Sequence, residues 1–146
     1  MRLRKAITVP VVVLTATLVT PFVSSAPSVA ASSITPYCQS VLHTLQTSET
    51  QAMWCQIQWG PATMNGEGYN GPADGVPGPN TWKGLQLFLS RYFGYTGPID
   101  GIPGTNTYKA MQRMAAKGGY TGAIDGVLGP NSWRGFGMYL YSLINP

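Results

Sequence analysis

The chain has 146 residues, of which 44% are hydrophobic and only 10% charged, and its formal net charge is +4. That length suits a single domain with a genuine core. Three of the nine basic residues, Arg2, Arg4 and Lys5, stand at the very N-terminus; the remaining six face five acidic residues, so the rest of the chain is nearly neutral, with no basic stripe to serve as a footprint for nucleic acid.

The N-terminal basic cluster opens a leader-like segment. An apolar stretch over residues 6–19 follows it, and Ser28-Val29-Ala30-Ala31 supplies small-residue cleavage sites, the arrangement of a secretory signal peptide. A membrane anchor is the alternative reading. Against it, the stretch carries Pro10, ends at Pro21 and falls short of the roughly 20 apolar residues that a helix needs to cross a bilayer. Residues 1–31 are therefore expected to be a signal peptide, leaving a secreted protein, extracellular or wall-associated, with no membrane attachment after cleavage.

Residues 32–67 form a second segment, which holds the only two cysteines, Cys38 and Cys55. In an oxidising compartment the default for such a pair is a disulfide. A continuous helix between them would separate the two by about 25 Å at 1.5 Å per residue, whereas a disulfide needs Cα atoms within about 7 Å. The chain must double back, and Thr47-Ser48-Glu49-Thr50 is the expected break, with Val41, Leu42, Leu45, Met53, Trp54 and Ile57 supplying apolar helical positions. A metal pair is a poor alternative, because zinc needs three or four ligands and His43 is the only histidine.

Residues 68–146 contain one unit written three times. Its copies begin Gly68-Tyr69-Asn70-Gly71-Pro72-Ala73-Asp74-Gly75, Gly94-Tyr95-Thr96-Gly97-Pro98-Ile99-Asp100-Gly101 and Gly119-Tyr120-Thr121-Gly122-Ala123-Ile124-Asp125-Gly126. A period of about 25 residues marks a supersecondary unit. The glycines write turns and the aspartates accept hydrogen bonds from amides just downstream. Asn80-Thr81, Asn106-Thr107 and Asn131-Ser132 read as N-caps that start helices. Apolar residues then recur three and seven positions on: Trp82/Leu85/Leu89, Tyr108/Met111/Ala115 and Trp133/Phe136/Leu140. That is one helical face copied three times. The expected fold is all-α, a compact bundle of short helices joined by Gly/Pro/Asp-rich loops, with an N-terminal disulfide-closed helical segment.

The run Leu85-Gln86-Leu87-Phe88-Leu89, the loop from Gly94 through Asp100-Gly101 to Asn106-Thr107, Met111-Gln112-Arg113-Met114, and Ile124-Asp125-Gly126-Val127-Leu128-Gly129-Pro130-Asn131-Ser132-Trp133 together resemble the peptidoglycan-binding domain family. The resemblance covers roughly residues 80–143, with a further copy of the loop upstream. It implies a compact three-helix domain of the kind that attaches secreted wall enzymes to peptidoglycan. Met114 stands where the family usually has an aromatic, and no catalytic domain accompanies the unit.

Catalysis is not expected. Hydrolysis of a glycan usually takes two carboxylates flanking one bond, and three of the five acidic residues are the repeated loop aspartates, leaving Glu49 and Glu67. No zinc-hydrolase motif or phosphate loop occurs, no cofactor is implied, and a single carboxylate per loop is too few for calcium. Binding has positive support, since sugar polymers are held by aromatic faces and planar amides. Tyr95, Asp100, Asn106, Tyr108, Lys109, Gln112, Gln86 and Tyr120 are the candidate ligand-binding residues, centred on a groove lined by the second loop and its helix. Beside that stand plainer readings: tyrosines packed over a neighbouring helix, aspartates structural, asparagines as caps, and Trp82, Tyr108 and Trp133 as core.

The expected function is a secreted, non-catalytic binder of peptidoglycan or a related wall glycan. Two alternatives remain open. One is an accessory factor or inhibitor that binds a wall hydrolase on the same scaffold. The other is a choline-binding-type array, whose repeats would form β-hairpins instead of helices.

Overall fold

A computed structural model describes residues 33–63 and 68–146; the expected signal peptide and Glu67 lie outside the described residues. Among the described residues five helices follow one another: α1 (Pro36–Val41), α2 (Gln51–Trp59), α3 (Pro79–Tyr92), α4 (Thr105–Lys117) and α5 (Pro130–Ile144). No strand occurs among the described residues; a single parallel bridge between Ile34 and Ala73 ties the start of the segment to the first loop. The fold is all-α, so the hairpin array does not hold.

The two short helices form the expected reversal. Thr35 caps α1 by accepting from the Cys38 amide, and Thr50 caps α2 by accepting from Met53, so residues 42–50 make the turn between them. Cys38 and Cys55 are joined with their Cα atoms 5.2 Å apart. The buried Gln56 amide donates to the carbonyls of Leu42 and Thr44, at 2.8 and 2.6 Å, near the C-terminal end of α1. Leu42 and Thr44 follow the last residue of α1, so their carbonyls find partners outside the helix.

The three long helices start earlier than the asparagines suggest. Gly78, Gly104 and Gly129 are the N-caps, in extended conformation, and Pro79, Thr105 and Pro130 take the first helical position. Asn80, Asn106 and Asn131 therefore sit inside the first turn, exposed, and do not cap. Capping falls instead to the residue after each asparagine, whose hydroxyl reaches back to accept from the N-cap amide: Thr81 from Gly78, Thr107 from Gly104 and Ser132 from Gly129. Proline at the first helical position costs no hydrogen bond, because that amide would be unsatisfied anyway.

The predicted apolar faces meet in one core. Leu85, Leu89, Met111, Met114, Ala115, Phe136 and Leu140 are fully buried, together with Met53 and Ile57 of α2. Burying each such side chain contributes about 1.5–3 kcal/mol. The cysteine-bearing segment thus shares the core of the repeats. It also closes the far end: Gly137 of α5 is buried against the backbone of Gln46, where any side chain would collide, and the His43 ring meets the Asn145 side chain at 2.7 Å.

Contacts of α2 reveal a fourth copy of the helix. Gly75 packs on Gln51 and Cys55 of α2 as Gly101 packs on Pro79 and Lys83 of α3 and Gly126 on Thr105 and Lys109 of α4. In that register Trp54 corresponds to Trp82, Tyr108 and Trp133, and Gln58 to Gln86 and Gln112. Each of these three glutamine-bearing helices holds the loop that follows it.

Candidate functional site

The holding device is one buried glutamine per copy. Gln86 donates to the Asp100 carboxylate and the Ile102 carbonyl, both at 3.1 Å, and its oxygen accepts from the Gly101 amide at 2.8 Å. Gln112 does the same with Asp125, Val127 and Gly126, and Gln58 with Asp74, Val76 and Gly75. The aspartate completes the loop by accepting from the amide two residues on, at 2.9 Å in every copy. Glycine is required after the aspartate because φ there is +77°, +80° and +85°.

These bonds act on the acids they hold. The Asp100 carboxyl lies below its usual range chiefly through the Ile102 amide and then the Gln86 side chain; Asp125 is lowered first by Gln112 and then by the Val127 amide. Lys83 and Lys109 favour the same ionised forms from nearby. Tyr69 is raised, first by partial burial and then by the Asp74 charge.

Each loop tyrosine arches over its own loop. The hydroxyls of Tyr69, Tyr95 and Tyr120 donate to the carbonyls of Pro72, Pro98 and Ala123 at 2.6–2.8 Å. Beneath each ring lies a glycine, Gly71, Gly97 or Gly122, with no room for a Cβ.

The eight sequence-derived candidates do not converge on one surface. Gln86 and Gln112 are fully buried with their amides engaged in loop closure, and Tyr95 is buried, its ring on Gly97. None of these three ring or amide groups is presented broadly to a polymer. Tyr95, Asp100 and Asn106 do border a shallow recess of about 240 Å³ at the start of α4. Tyr120 belongs to a groove of the third copy, Tyr108 to an aromatic recess, and the half-buried Lys109 packs its stem beside Gly126.

Two larger grooves are copies of each other. The third-copy groove, about 510 Å³, is lined by Gly119, Tyr120, Thr121, Asn131, Arg134, Gly135 and Met138. The first-copy groove, about 400 Å³, is lined by Gly68, Asn70, Asn80, Lys83, Gly84 and Leu87, the equivalents of the same positions. Gly84 and Gly135 make the floor: a Cβ there would strike the backbone of Ala62 and Tyr69, or of Ala115 and Tyr120. Each floor is edged by an asparagine side chain, a basic residue and the backbone of the tyrosine loop.

The second copy differs. Ala110 replaces the glycine, and Arg113 replaces Leu87 and Met138. The Arg113 guanidinium lies across Gly94, donating to the Phe93 carbonyl at 2.6 Å and the Gly94 carbonyl at 2.8 Å. It fills the space that stays open in the other two copies. The second loop and the start of α4 keep the shallow recess expected there, whereas the two larger grooves belong to the first and third copies.

Asn80, Asn131, Lys83 and Arg134 are accordingly better placed than the glutamines to touch a ligand. Their signal lay in the sequence, as an asparagine and a basic residue three apart beside a glycine, but the same asparagines also read as caps. Among the described residues no helix is long and apolar enough to cross a membrane, and no cluster of three or more metal-ligating side chains occurs. Comparison of the chain with protein families, curated proteins and solved structures found no match.

Proposed function

We propose that this is a secreted, non-catalytic protein that binds bacterial cell-wall peptidoglycan through the paired grooves of its first and third copies. The observation that carries this reading is the duplication itself: the same asparagine, cation and glycine floor recur in two open grooves. A repeating polymer offers the same chemical group at intervals, and a chain with two equivalent grooves can engage two of them, gaining avidity without new contacts. The asparagine amide and loop backbone suit sugar hydroxyls and acetamido groups, and Lys83 or Arg134 suits a stem-peptide carboxylate. The resemblance of the loop–helix unit to the peptidoglycan-binding domain family supports the same ligand class.

The absence of catalysis in this proposal rests on how the acids are used. Asp74, Asp100 and Asp125 are each bound to a glutamine and to their own loop amide, so their carboxylates serve closure. Export is part of the proposal, supported by the leader-like N-terminus and by the Cys38–Cys55 bridge, which suits an oxidising compartment.

Co-sedimentation with purified sacculi tests the reading. The protein should pellet with the walls, and Lys83→Glu combined with Arg134→Glu should release it, with each single change giving partial release. A protein that stays in the supernatant, or a double variant retained like the parent, contradicts it. Pelleting that depends on an added wall hydrolase would instead favour the accessory-factor alternative.

A further inference from the structure

The aromatic residues at the starts of the three long helices, Tyr108 among the candidate ligand-binding residues and Trp82 and Trp133 read as core, pack half-buried against the core and open onto a recess. Trp82, Tyr108 and Trp133, with Leu128 from the third loop, line a space of about 370 Å³ whose edge carries Glu49 from the turn between α1 and α2. The rings are braced from behind and do not collapse into the space. Trp54 meets Trp82 edge-on at 4.8 Å, Trp82 meets Tyr108 at 6.4 Å and 75°, and Phe136 meets Trp133 at 5.9 Å.

Charge distinguishes this recess from the two grooves. Each groove is lined by one basic residue and no acidic one, whereas the recess is lined by one carboxylate and no basic residue. Lys109 packs its stem beside Gly126 but does not line the recess. Aromatic faces attract a cation through the ring quadrupole, and an adjacent carboxylate adds direct attraction. An anion would meet repulsion from Glu49, and a neutral sugar would gain nothing from its charge.

We infer that the recess is a binding site for an alkylammonium group, a positively charged amine on a short aliphatic stem. The rings take the stem and the methyl or methylene groups next to nitrogen, and Glu49 takes the charge. The site is separate from the grooves and does not depend on the wall-binding proposal.

Two-dimensional NMR of the purified protein, following the indole N–H signals during titration with tetramethylammonium and with choline, tests it. The expected result is saturable shifts at Trp82 and Trp133 with little change at Trp59, which lies outside the recess. The neutral isostere 3,3-dimethylbutan-1-ol should bind on the order of tenfold more weakly. Glu49 is exposed, so Glu49→Gln should leave the melting temperature unchanged while weakening the cation about three- to fivefold. The inference is overturned if the isostere binds as well as choline, if Glu49→Gln binds choline like the parent, if N-acetylglucosamine is preferred, or if no saturable shift appears. Sacculus binding can fail while these shifts persist, or the reverse, so the two readings are separable.

Discussion

Gln86→Leu probes the device on which the fold of each copy depends. The change keeps the volume nearly constant and removes four hydrogen bonds: to Asp100, to the Ile102 carbonyl, to the Tyr95 hydroxyl and from the Gly101 amide. Asp100 and Ile102 are exposed and can turn to water, but Gly101 is buried, so its amide is left without a partner. A buried unsatisfied donor costs about 1–3 kcal/mol, and the two exposed groups add about 0.5–1 kcal/mol between them. The total, about 3 kcal/mol, corresponds to a fall of roughly 10–15 °C in Tm for a domain of this size. Differential scanning calorimetry or urea unfolding at neutral pH measures it. Gln86→Glu refines the test, because a carboxylate cannot donate to Asp100 and places two negative charges in hydrogen-bond range; that variant should be rescued in part by lowering the pH until the new acid is protonated. A Gln86→Leu protein within about 0.5 kcal/mol of the parent would refute the reasoning, since that is the range of an ordinary surface substitution.

Arg113→Ala should open the second groove: we expect a loss of about 1–2 kcal/mol from the missing bonds to Phe93 and Gly94, together with stronger pelleting on sacculi, and weaker or unchanged pelleting would count against the plugged-groove account. Because the folded-state carboxyls of Asp100 and Asp125 lie below the ordinary carboxylate range, the stability they contribute is complete above about pH 4 and is lost as pH falls below it. A Tm–pH profile should therefore drop on the acid side of about pH 4, and the drop should shrink in the double variant Asp100→Asn/Asp125→Asn. Gly135→Ala should cost about 1–3 kcal/mol, because its Cβ meets the Ala115 carbonyl, whereas Gly104→Ala enters open space and should be tolerated in chemical denaturation.

Much of this fold could be read from the sequence because local chemistry repeated. Three Asp-Gly corners, three apolar faces and the forced reversal between the cysteines all appear where the spacing places them. Helix starts were misplaced by the asparagines, although proline after Gly78 and Gly129 is the stronger marker: a proline favours the first helical position, which makes the preceding glycine the cap. The role of Gln86 and Gln112 was also signalled, since each lies four residues after an aromatic on the buried stripe, where an amide needs a buried partner. The same spacing from Trp54 to Gln58 marks the fourth helix copy, but without a matching loop before it the repeat is easily overlooked.

The candidate site was less legible, for reasons of tertiary geometry. Whether a groove between a loop and the next helix is open depends on the residue one turn beyond the basic one, Leu87, Arg113 or Met138. Nothing local says that Arg113 folds back onto carbonyls about 20 residues earlier. Similarly, Glu49 and Trp133 are far apart in sequence and share a recess only because the turn between α1 and α2 packs back toward α5 and the third loop.

The paired-groove proposal is tested most directly by chemical-shift mapping of the labelled protein with a soluble disaccharide–peptide fragment of peptidoglycan. The account predicts saturable amide shifts at Thr121, Arg134 and Gly135 and, in parallel, at Asn70, Lys83 and Gly84, with Gly94 and Ala110 unmoved. Shifts confined to the second copy, or none at saturating fragment, would contradict it.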